Sequence, residues 1–271
     1  MKHLLAALVL LAAPAASTPL GTSQDKTVLV NSDFESDSWK TDWAVQGKNF
    51  TVVEDQGRGK SLRMEIPAGQ CGGGSLIYPF KKRLGYEPEE MYFRYYLKFD
   101  PSWANAIDGG KMPGFSGTYG RAGWGGRGPV NGKDGWSARG GFVKPTADSC
   151  QLSFYCYHVD TKSQYGDHWK FVPPLKFSTW YCVEVYVKLN TPGKDGGKGA
   201  NDGILRSWID GQVAFERANI RFRDVDTLKI EQVWGNFYHG GTRPTPKGMV
   251  LFLDDMVIST KPIGPLKNGR S

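Results

Sequence analysis

The sequence lacks the features of several large protein classes. After the first residues, no segment approaches the roughly 20 consecutive apolar residues that span a bilayer, so no membrane partner is expected. No long stretch repeats its apolar residues with the helical period of about 3.6 residues, which argues against a helical fold. The four cysteines and four histidines form no C-x-x-C or Cys/His cluster, so no metal site of the zinc type is expected.

Acidic residues are scarce where catalytic carboxylates would be sought. A retaining glycosidase needs two close carboxylates, yet no strand alternates them, and Glu184 stands alone in its strand. The glycine-rich segment from Gly109 to Gly141 holds one anion, Asp134. Against it stand five cations, which are Lys111, Arg121, Arg127, Lys133 and Arg139. An anionic ligand explains this imbalance, and a flexible loop without a ligand is the alternative.

The chain begins with a pattern typical of a secretory signal peptide. Residues 1–16 combine a basic start, a short apolar run and the small-residue sequence Ala13-Pro14-Ala15. We therefore expect a secreted protein, extracellular or periplasmic. The formal net charge of +7 favours a polyanionic partner. Export favours an acidic polysaccharide over nucleic acid, and we expect a monomer.

An exported chain folds in an oxidising compartment, where an even cysteine count indicates disulfides. We expect one or two bridges among Cys71, Cys150, Cys156 and Cys182, for which three full pairings are possible. The alternative for Cys156 is a buried free thiol.

Composition and patterning predict an all-β fold. The 35 glycines, 16 prolines and 13% aromatic residues accompany short alternating runs bounded by turn residues. No linker divides them, so we predict a single domain over residues 24–263, followed by a polar tail at 264–271. In the run from Met91 to Phe99, the apolar residues alternate with Tyr92, Arg94, Tyr96 and Lys98. Rings and cations on a wet face suit sugars, so Arg94 and Tyr96 are candidates for flanking sugar subsites; a plain solvated face is the alternative.

Two adjacent acids interrupt an apolar strand. Asp254 and Asp255 cannot both face solvent there, so one must face inward or meet a partner. We interpret them as hydrogen-bonded core carboxylates. A structural calcium ion is the alternative.

The candidate catalytic residues lie on adjacent strands of the predicted sheet. Ser137 and Arg139 are two residues apart and therefore point to one side. Tyr155 and Tyr157 are paired in the same way, and Gln151 shares their face. His158 points to the opposite face and is discounted as a base. The alternatives are an aromatic pair that fills a sheet surface, and an Arg139 that pairs with an acid such as Asp134.

Such residues can cleave a uronate polymer by elimination. The reaction needs a neutralised C5 carboxylate, a base for the C5 proton and an acid for the departing O4. Lys111, in a glycine-flanked turn, and Arg139 suit the first task. Tyr157 is the first choice for base and acid, since nearby cations lower a tyrosine pKa from about 10. Tyr155 would support it, and Ser137 would position the substrate or a tyrosine hydroxyl.

These motifs resemble polysaccharide lyase family 14, the alginate lyases. The likeness rests on GGKMPG, GWSARGGF and the Tyr-x-Tyr strand, and it extends to YCVEVYVKLNTPG, DGILRSWIDGQ, FYHGG and FLDDMVIS. The resemblance implies a β-jelly roll, a concanavalin-like two-sheet sandwich. It also implies an active cleft lined by a lysine, a serine, an arginine and two tyrosines, which match Lys111, Ser137, Arg139, Tyr155 and Tyr157. The segment between Lys111 and Ser137 looks longer than is usual in the family.

The resemblance leaves alternatives for substrate and function. Alginate, in particular polymannuronate, is favoured, and glucuronan or another glucuronate polymer is the first alternative. One tyrosine that serves both steps requires the proton and O4 on the same side of the ring, as in β-linked mannuronate and glucuronate. A non-catalytic carbohydrate-binding jelly roll is the second alternative. His239, in FYHGG, is a candidate substrate contact or a structural histidine. The chemistry requires no cofactor.

Overall fold

The computed structural model describes residues 27–267. The expected signal peptide at 1–16 and the last four residues of the expected tail lie outside this range. The helical elements are α1 (Trp39–Asp42), α2 (Phe80–Leu84) and 3-10 turns at Pro101–Asn105 and Lys194–Gly196. The strands are β1 (Val28–Ser32), β2 (Ala44–Gln46), β3 (Phe50–Asp55), β4 (Gly59–Ile66), β5 (Gly72–Pro79), β6 (Glu90–Phe99), β7 (Gly110–Gly117), β8 (Trp136–Phe142), β9 (Ser149–Cys150), β10 (Leu152–Tyr157), β11 (Asp167–Lys170), β12 (Leu175–Lys176), β13 (Trp180–Lys188), β14 (Gly203–Ile209), β15 (Gln212–Ile220), β16 (Gln232–His239) and β17 (Met249–Ser259).

Two large antiparallel sheets share one core. The back sheet has the order β15-β14-β13-β6-β17-β4-β3, with β1 paired to β17. The front sheet has the order β11-β10-β8-β7-β16-β5-β2. A small pair, β12-β9, completes the strands of the described range. The all-β, two-sheet jelly-roll prediction is confirmed. Among residues 27–267, no helix has the length and apolar character needed to cross a membrane.

Strand alternation builds the core as the sequence predicts. On β6, every second residue is almost fully buried between the sheets: Met91, Phe93, Tyr95, Leu97 and Phe99. Burial of each such side chain contributes about 1.5–3 kcal/mol. On β8 and β10 of the front sheet, by contrast, all residues on both faces are buried. One face packs on the core, and the other is therefore covered by something outside the sheet.

The outer face of the back sheet is closed by the C-terminal tail. Glu184 accepts hydrogen bonds from the amides of Ile263 and Gly264, at 2.9 and 2.7 Å. Arg94 donates to the carbonyl oxygen of Gly264, and the Tyr96 hydroxyl accepts from the amide of Leu266. The predicted sugar subsite at Arg94 and Tyr96 is therefore wrong. Alternation gave the correct face of the strand, but these side chains are buried under the tail on the side of the sandwich opposite Arg139.

Asp254 and Asp255 share a buried guanidinium. Arg58 Nε lies 2.9 Å from Asp254 Oδ2, and its Nη2 lies 2.7 Å from Asp255 Oδ2. The guanidinium also lies over the rings of Tyr96 and Trp180, 4.2 and 4.8 Å from their centroids. Burial and the neighbouring Asp255 carboxylate raise the pKa of Asp254 to about 7. The cationic partner of both carboxylates is Arg58, in keeping with their interpretation as hydrogen-bonded core acids.

The expected disulfides are not formed. Cys71, Cys150, Cys156 and Cys182 are all free thiols, and the last three are buried. Cys71 lies just before β5, and Cys150, Cys156 and Cys182 lie on β9, β10 and β13. The alternative of a buried free thiol at Cys156 holds, and burial raises its pKa well above the ordinary value.

Removal of the Arg58 side chain should destabilise the fold strongly. Arg58→Ala leaves two buried carboxylates without their cation, and we expect a loss of about 3–5 kcal/mol in the free energy of unfolding. The control is Arg63→Ala, which breaks a half-exposed pair with Glu65 on β4 and should cost at most about 1 kcal/mol. Urea unfolding followed by tryptophan fluorescence measures both. Equal losses in the two variants would contradict a structural role for the Arg58 cluster.

Candidate active site

Three adjacent strands of the front sheet bring the predicted residues together. β8 lies between β7 and β10, and Arg139 pairs directly with Tyr155. Lys111 of β7 pairs with Gly141, the glycine two residues beyond Arg139 on the same face of β8. A Cβ at Gly141 would lie 2.9 Å from Ser153 Oγ and 3.5 Å from Tyr155 Cβ. The missing side chain lets Lys111 reach across β8, where its Nζ lies 3.5 Å from the centroid of the Tyr155 ring.

Arg139 is a buried cation without an acid. Its side chain stacks on Trp234, 4.5 Å from the ring centroid, and Nη1 donates to Asn236 Oδ1 at 3.3 Å. Its buried Nε has no hydrogen-bond partner. Within residues 27–267, no carboxylate lies within 4.0 Å of the charged nitrogens of Arg139 or Lys111. Asp134, the alternative partner, bonds instead to Asn131.

Burial changes the proton affinities of the three central groups. Burial and the charge of Arg139 lower the pKa of Lys111 to about 7. Burial lowers the pKa of Arg139 to about 10, so the guanidinium stays charged at neutral pH. Burial and the hydrogen bond that Tyr155 donates to Tyr157 raise the pKa of Tyr155 well above the ordinary tyrosine value. Near neutral pH, a group that can accept a proton, Lys111, therefore lies beside a group that can donate one, Tyr155.

Tyr157 and Ser137 hold the part of the glycine-rich segment that connects β7 to β8, at residues 118–135. The Tyr157 hydroxyl, fully buried, accepts from the amide of Gly126 at 3.2 Å and lies 3.2 Å from the Tyr155 hydroxyl. Ser137 Oγ, also fully buried, donates to the carbonyl oxygen of Gly123 at 2.6 Å. The segment thus covers both side chains. Their position does not fit the roles expected from the sequence, a proton-transfer tyrosine and a serine in contact with the substrate.

The anchored segment forms one wall of a cavity of about 560 Å³. Trp124 of this segment and Tyr165 of the loop before β11 line the cavity, and Lys111, Arg139 and Tyr155 form part of its floor. Gln164 ties the wall in place through a 3.0 Å bond to the carbonyl oxygen of Gly126. These anchors do not fit the flexible loop of the alternative given above.

Two further predicted residues do not reach the cavity. Gln151 donates its side-chain amide to the carbonyl oxygen of Phe171 at 2.8 Å. His239 is fully buried; its Nε2 accepts from the amides of Ile107 and Asp108, and its Nδ1 bonds to the carbonyl oxygen of Arg243. Burial lowers the pKa of His239. Both ring nitrogens of His239 are already bonded to backbone groups. Of the two alternatives, His239 is therefore the structural histidine, and the prediction of a substrate contact is wrong.

Sequence reasoning missed the central strand of the cavity. On β16, Trp234, Asn236 and Tyr238 alternate with buried residues and face the cavity. The run QVWGNFYH carries this alternation, so the period of two could have found them. Two further residues near the cavity are Tyr165, in a loop, and His168, on β11. The ring centroid of His168 lies 4.5 Å from that of Tyr155. Neither position has a local sequence signal, since tertiary packing alone brings them to the site.

Comparison with known proteins identifies the family of the chain. The family model for polysaccharide lyase 14 matches residues 54–247. The chain belongs to the polysaccharide lyase 14 family. It is therefore an enzyme, a polysaccharide lyase, and the non-catalytic carbohydrate-binding alternative is set aside. No protein with a curated description matches the sequence.

Solved structures share the fold of this polysaccharide lyase. The alginate lyase vAL-1 from Chlorella virus is 19% identical, with a TM-score of 0.67 over 86% of this chain and 100% of that one. The marine PL-14 alginate lyase from Aplysia kurodai is 16% identical, with a TM-score of 0.67 over 87% and 100%. The endo-β-1,4-glucuronan lyase from the fungus Trichoderma reesei is 16% identical, with a TM-score of 0.56 over 86% and 95%.

Proposed function

We propose that this lyase cleaves a uronate polymer by β-elimination, with alginate, and polymannuronate in particular, as the favoured substrate. The observation that carries the proposal is the pair Arg139, which is buried, and Lys111, which is partly buried; neither has a carboxylate partner within residues 27–267. A buried charge without a partner is costly, and an anionic ligand removes that cost. A polymer with a carboxylate on each sugar is such a ligand.

Arg139 neutralises the carboxylate of the sugar at the cleavage point. Its charge persists at neutral pH, and Asn236 and Trp234 hold the guanidinium in position. A cation there stabilises the negative charge that spreads onto the carboxylate as the C5 proton leaves. The C5–H electron pair then forms the C4–C5 double bond, the C4–O4 bond breaks, and O4 takes up a proton.

Lys111 and Tyr155 carry the two proton transfers. With a pKa of about 7, Lys111 is partly neutral at neutral pH and can accept the C5 proton. Tyr155, whose pKa is raised, keeps its proton and can donate it to O4. Tyr157 is replaced as the first choice, because its hydroxyl is covered by the glycine-rich segment. Lys111 and Tyr155 lie on one side of the cavity floor, which suits sugars whose C5 proton and O4 are on the same side.

Mannuronate and glucuronate both meet that geometric condition. The two neighbours described as alginate lyases support alginate, and the glucuronan lyase neighbour supports glucuronan as the second candidate. Export through residues 1–16 would bring the enzyme to such polymers outside the cell. The proton transfers proposed here use side chains of this chain, and they work in a monomer without a cofactor.

Ultraviolet absorbance should rise when the enzyme acts on polymannuronate. Elimination leaves a conjugated C4–C5 double bond, which hydrolysis does not. The measurement compares polymannuronate, polyguluronate, glucuronan and a heparin-type glycan at equal uronate concentration. A rise with glucuronan alone would replace alginate by the second candidate. No rise with any of the four would overturn the proposal.

The two tyrosines should differ in their effect on turnover. Tyr155→Phe removes the proton donor, and we expect kcat to fall by about 10²–10⁴-fold. Tyr157→Phe is the matched control, because it removes one hydroxyl from the residue two positions further along β10, on the same face of the strand. It should keep kcat within about tenfold, since it removes the hydrogen bonds to the Gly126 amide and to the Tyr155 hydroxyl but leaves the proposed proton donor in place. Steady-state absorbance kinetics measure both, and the reverse order of losses would return the acid role to Tyr157.

The pH profile should report the lysine. Lys111 must lose its proton before it can act as a base, so kcat/KM should rise with pH through about 7 and fall away below it. Lys111→Arg keeps the positive charge but cannot release a proton, and should lower kcat by about 10²-fold or more. If Lys111 served only to neutralise the carboxylate, Lys111→Arg would retain most of the activity. Initial rates between pH 5 and pH 9 decide between the two roles.

A further inference from the structure

A second cavity lies beside the active site on the same face of the front sheet. It has a volume of about 490 Å³ and is built on β5, the end of β2 and the loop that follows β2. Asn236 of β16 lines both cavities. The two cavities therefore meet at β16, and a chain that crosses the strands of the sheet would pass from one into the other.

A row of polar contacts connects the two cavities. Asn236 accepts a hydrogen bond from Arg139 through Oδ1, and its Nδ2 donates to Ser75 Oγ at 3.2 Å. Ser75 lies opposite Asn236 on the neighbouring strand β5. The arginine at the proposed cleavage point is thus joined by one side chain to the floor of the second cavity.

The lining of the second cavity suits a charged sugar. It offers amides and a hydroxyl, one cation and no carboxylate, from the residues Gln46, Lys48, Asn49, Gln70, Ser75 and Asn236. Lys48 is exposed and has no ion pair within residues 27–267. The glycines at 72–74 line the same cavity and have no side chains that would fill it. Amides and hydroxyls pair with sugar hydroxyls, and a lysine pairs with a carboxylate.

We propose that this cavity is a subsite that binds a neighbouring uronate unit of the same polymer, with Lys48 paired to its carboxylate. The inference rests on the proposed function and extends it to substrate length. The guanidinium of Arg139 reaches across to β16, where it bonds to Asn236. The strands β16 and β2 are two strands apart, about 10 Å, so a substrate must extend beyond the cleaved linkage to reach Lys48. Longer chains are bound more tightly for that reason.

Kinetics as a function of substrate length test the subsite. Lys48→Ala should raise KM for polymannuronate about threefold to fivefold, and Lys48→Glu should raise it further, because like charges repel. For a trisaccharide, which fills fewer subsites, the rise in KM should be smaller. The matched control is Lys82→Ala on α2, the same change of charge at an exposed position at the other end of β5. Melting temperatures check that each variant folds.

The outcomes separate the subsite from the proposed function. A rise in KM that grows with chain length and is absent in Lys82→Ala supports the subsite. A wild-type enzyme that turns over while both Lys48 variants keep the wild-type KM at every length overturns the subsite alone. An equal rise for trisaccharide and polymer, or an equal rise in Lys82→Ala, overturns it as well. A wild-type enzyme that acts on no uronate polymer overturns the proposed function and the subsite with it.

Discussion

The site depends on one constraint. The guanidinium of Arg139 is almost fully buried, and it has no carboxylate partner within residues 27–267. Arg139 sits on the outer face of the front sheet, where an arginine would ordinarily extend into water. Trp234, Asn236 and the covered tyrosines instead surround it. This arrangement costs desolvation energy in the free enzyme, and an anionic ligand offsets that cost when it binds. The glycine-rich segment covers Tyr157 and Ser137 and forms one wall of the cavity beside this guanidinium.

The same exclusion of water sets the chemistry of the neighbouring groups. Burial first, and the charge of Arg139 second, lower the pKa of Lys111 to about 7. Burial acts in the opposite sense on Tyr155, whose neutral form is favoured. A single cause therefore separates a proton acceptor from a proton donor. A more open cavity would return both groups toward their ordinary pKa values and weaken the proposed division of roles.

Local alternation made much of this predictable. The period of two placed Arg139 with Ser137 and Tyr155 with Tyr157, and the strand register confirms the shared surface. The same rule assigned a face to Arg94 but could not say which sheet it joins or that the tail covers it. Whether a hydroxyl such as that of Tyr157 is accessible or covered depends on a loop that is distant in the sequence. Local spacing carries no information on such long-range packing.

The two outer faces of the sandwich show why net charge is a weak guide to ligand binding. On the back sheet, Arg58 binds Asp254 and Asp255, Lys98 lies 2.5 Å from Asp55, and Arg94 is bonded to backbone carbonyl oxygens. On the front sheet, Arg139 and Lys111 have none within residues 27–267. Paired charges close a surface, because each satisfies the other and leaves little for a ligand. The ligand face is thus distinguished by cations left unpaired next to a cavity, and the net charge of +7 of the whole chain does not say where such cations lie.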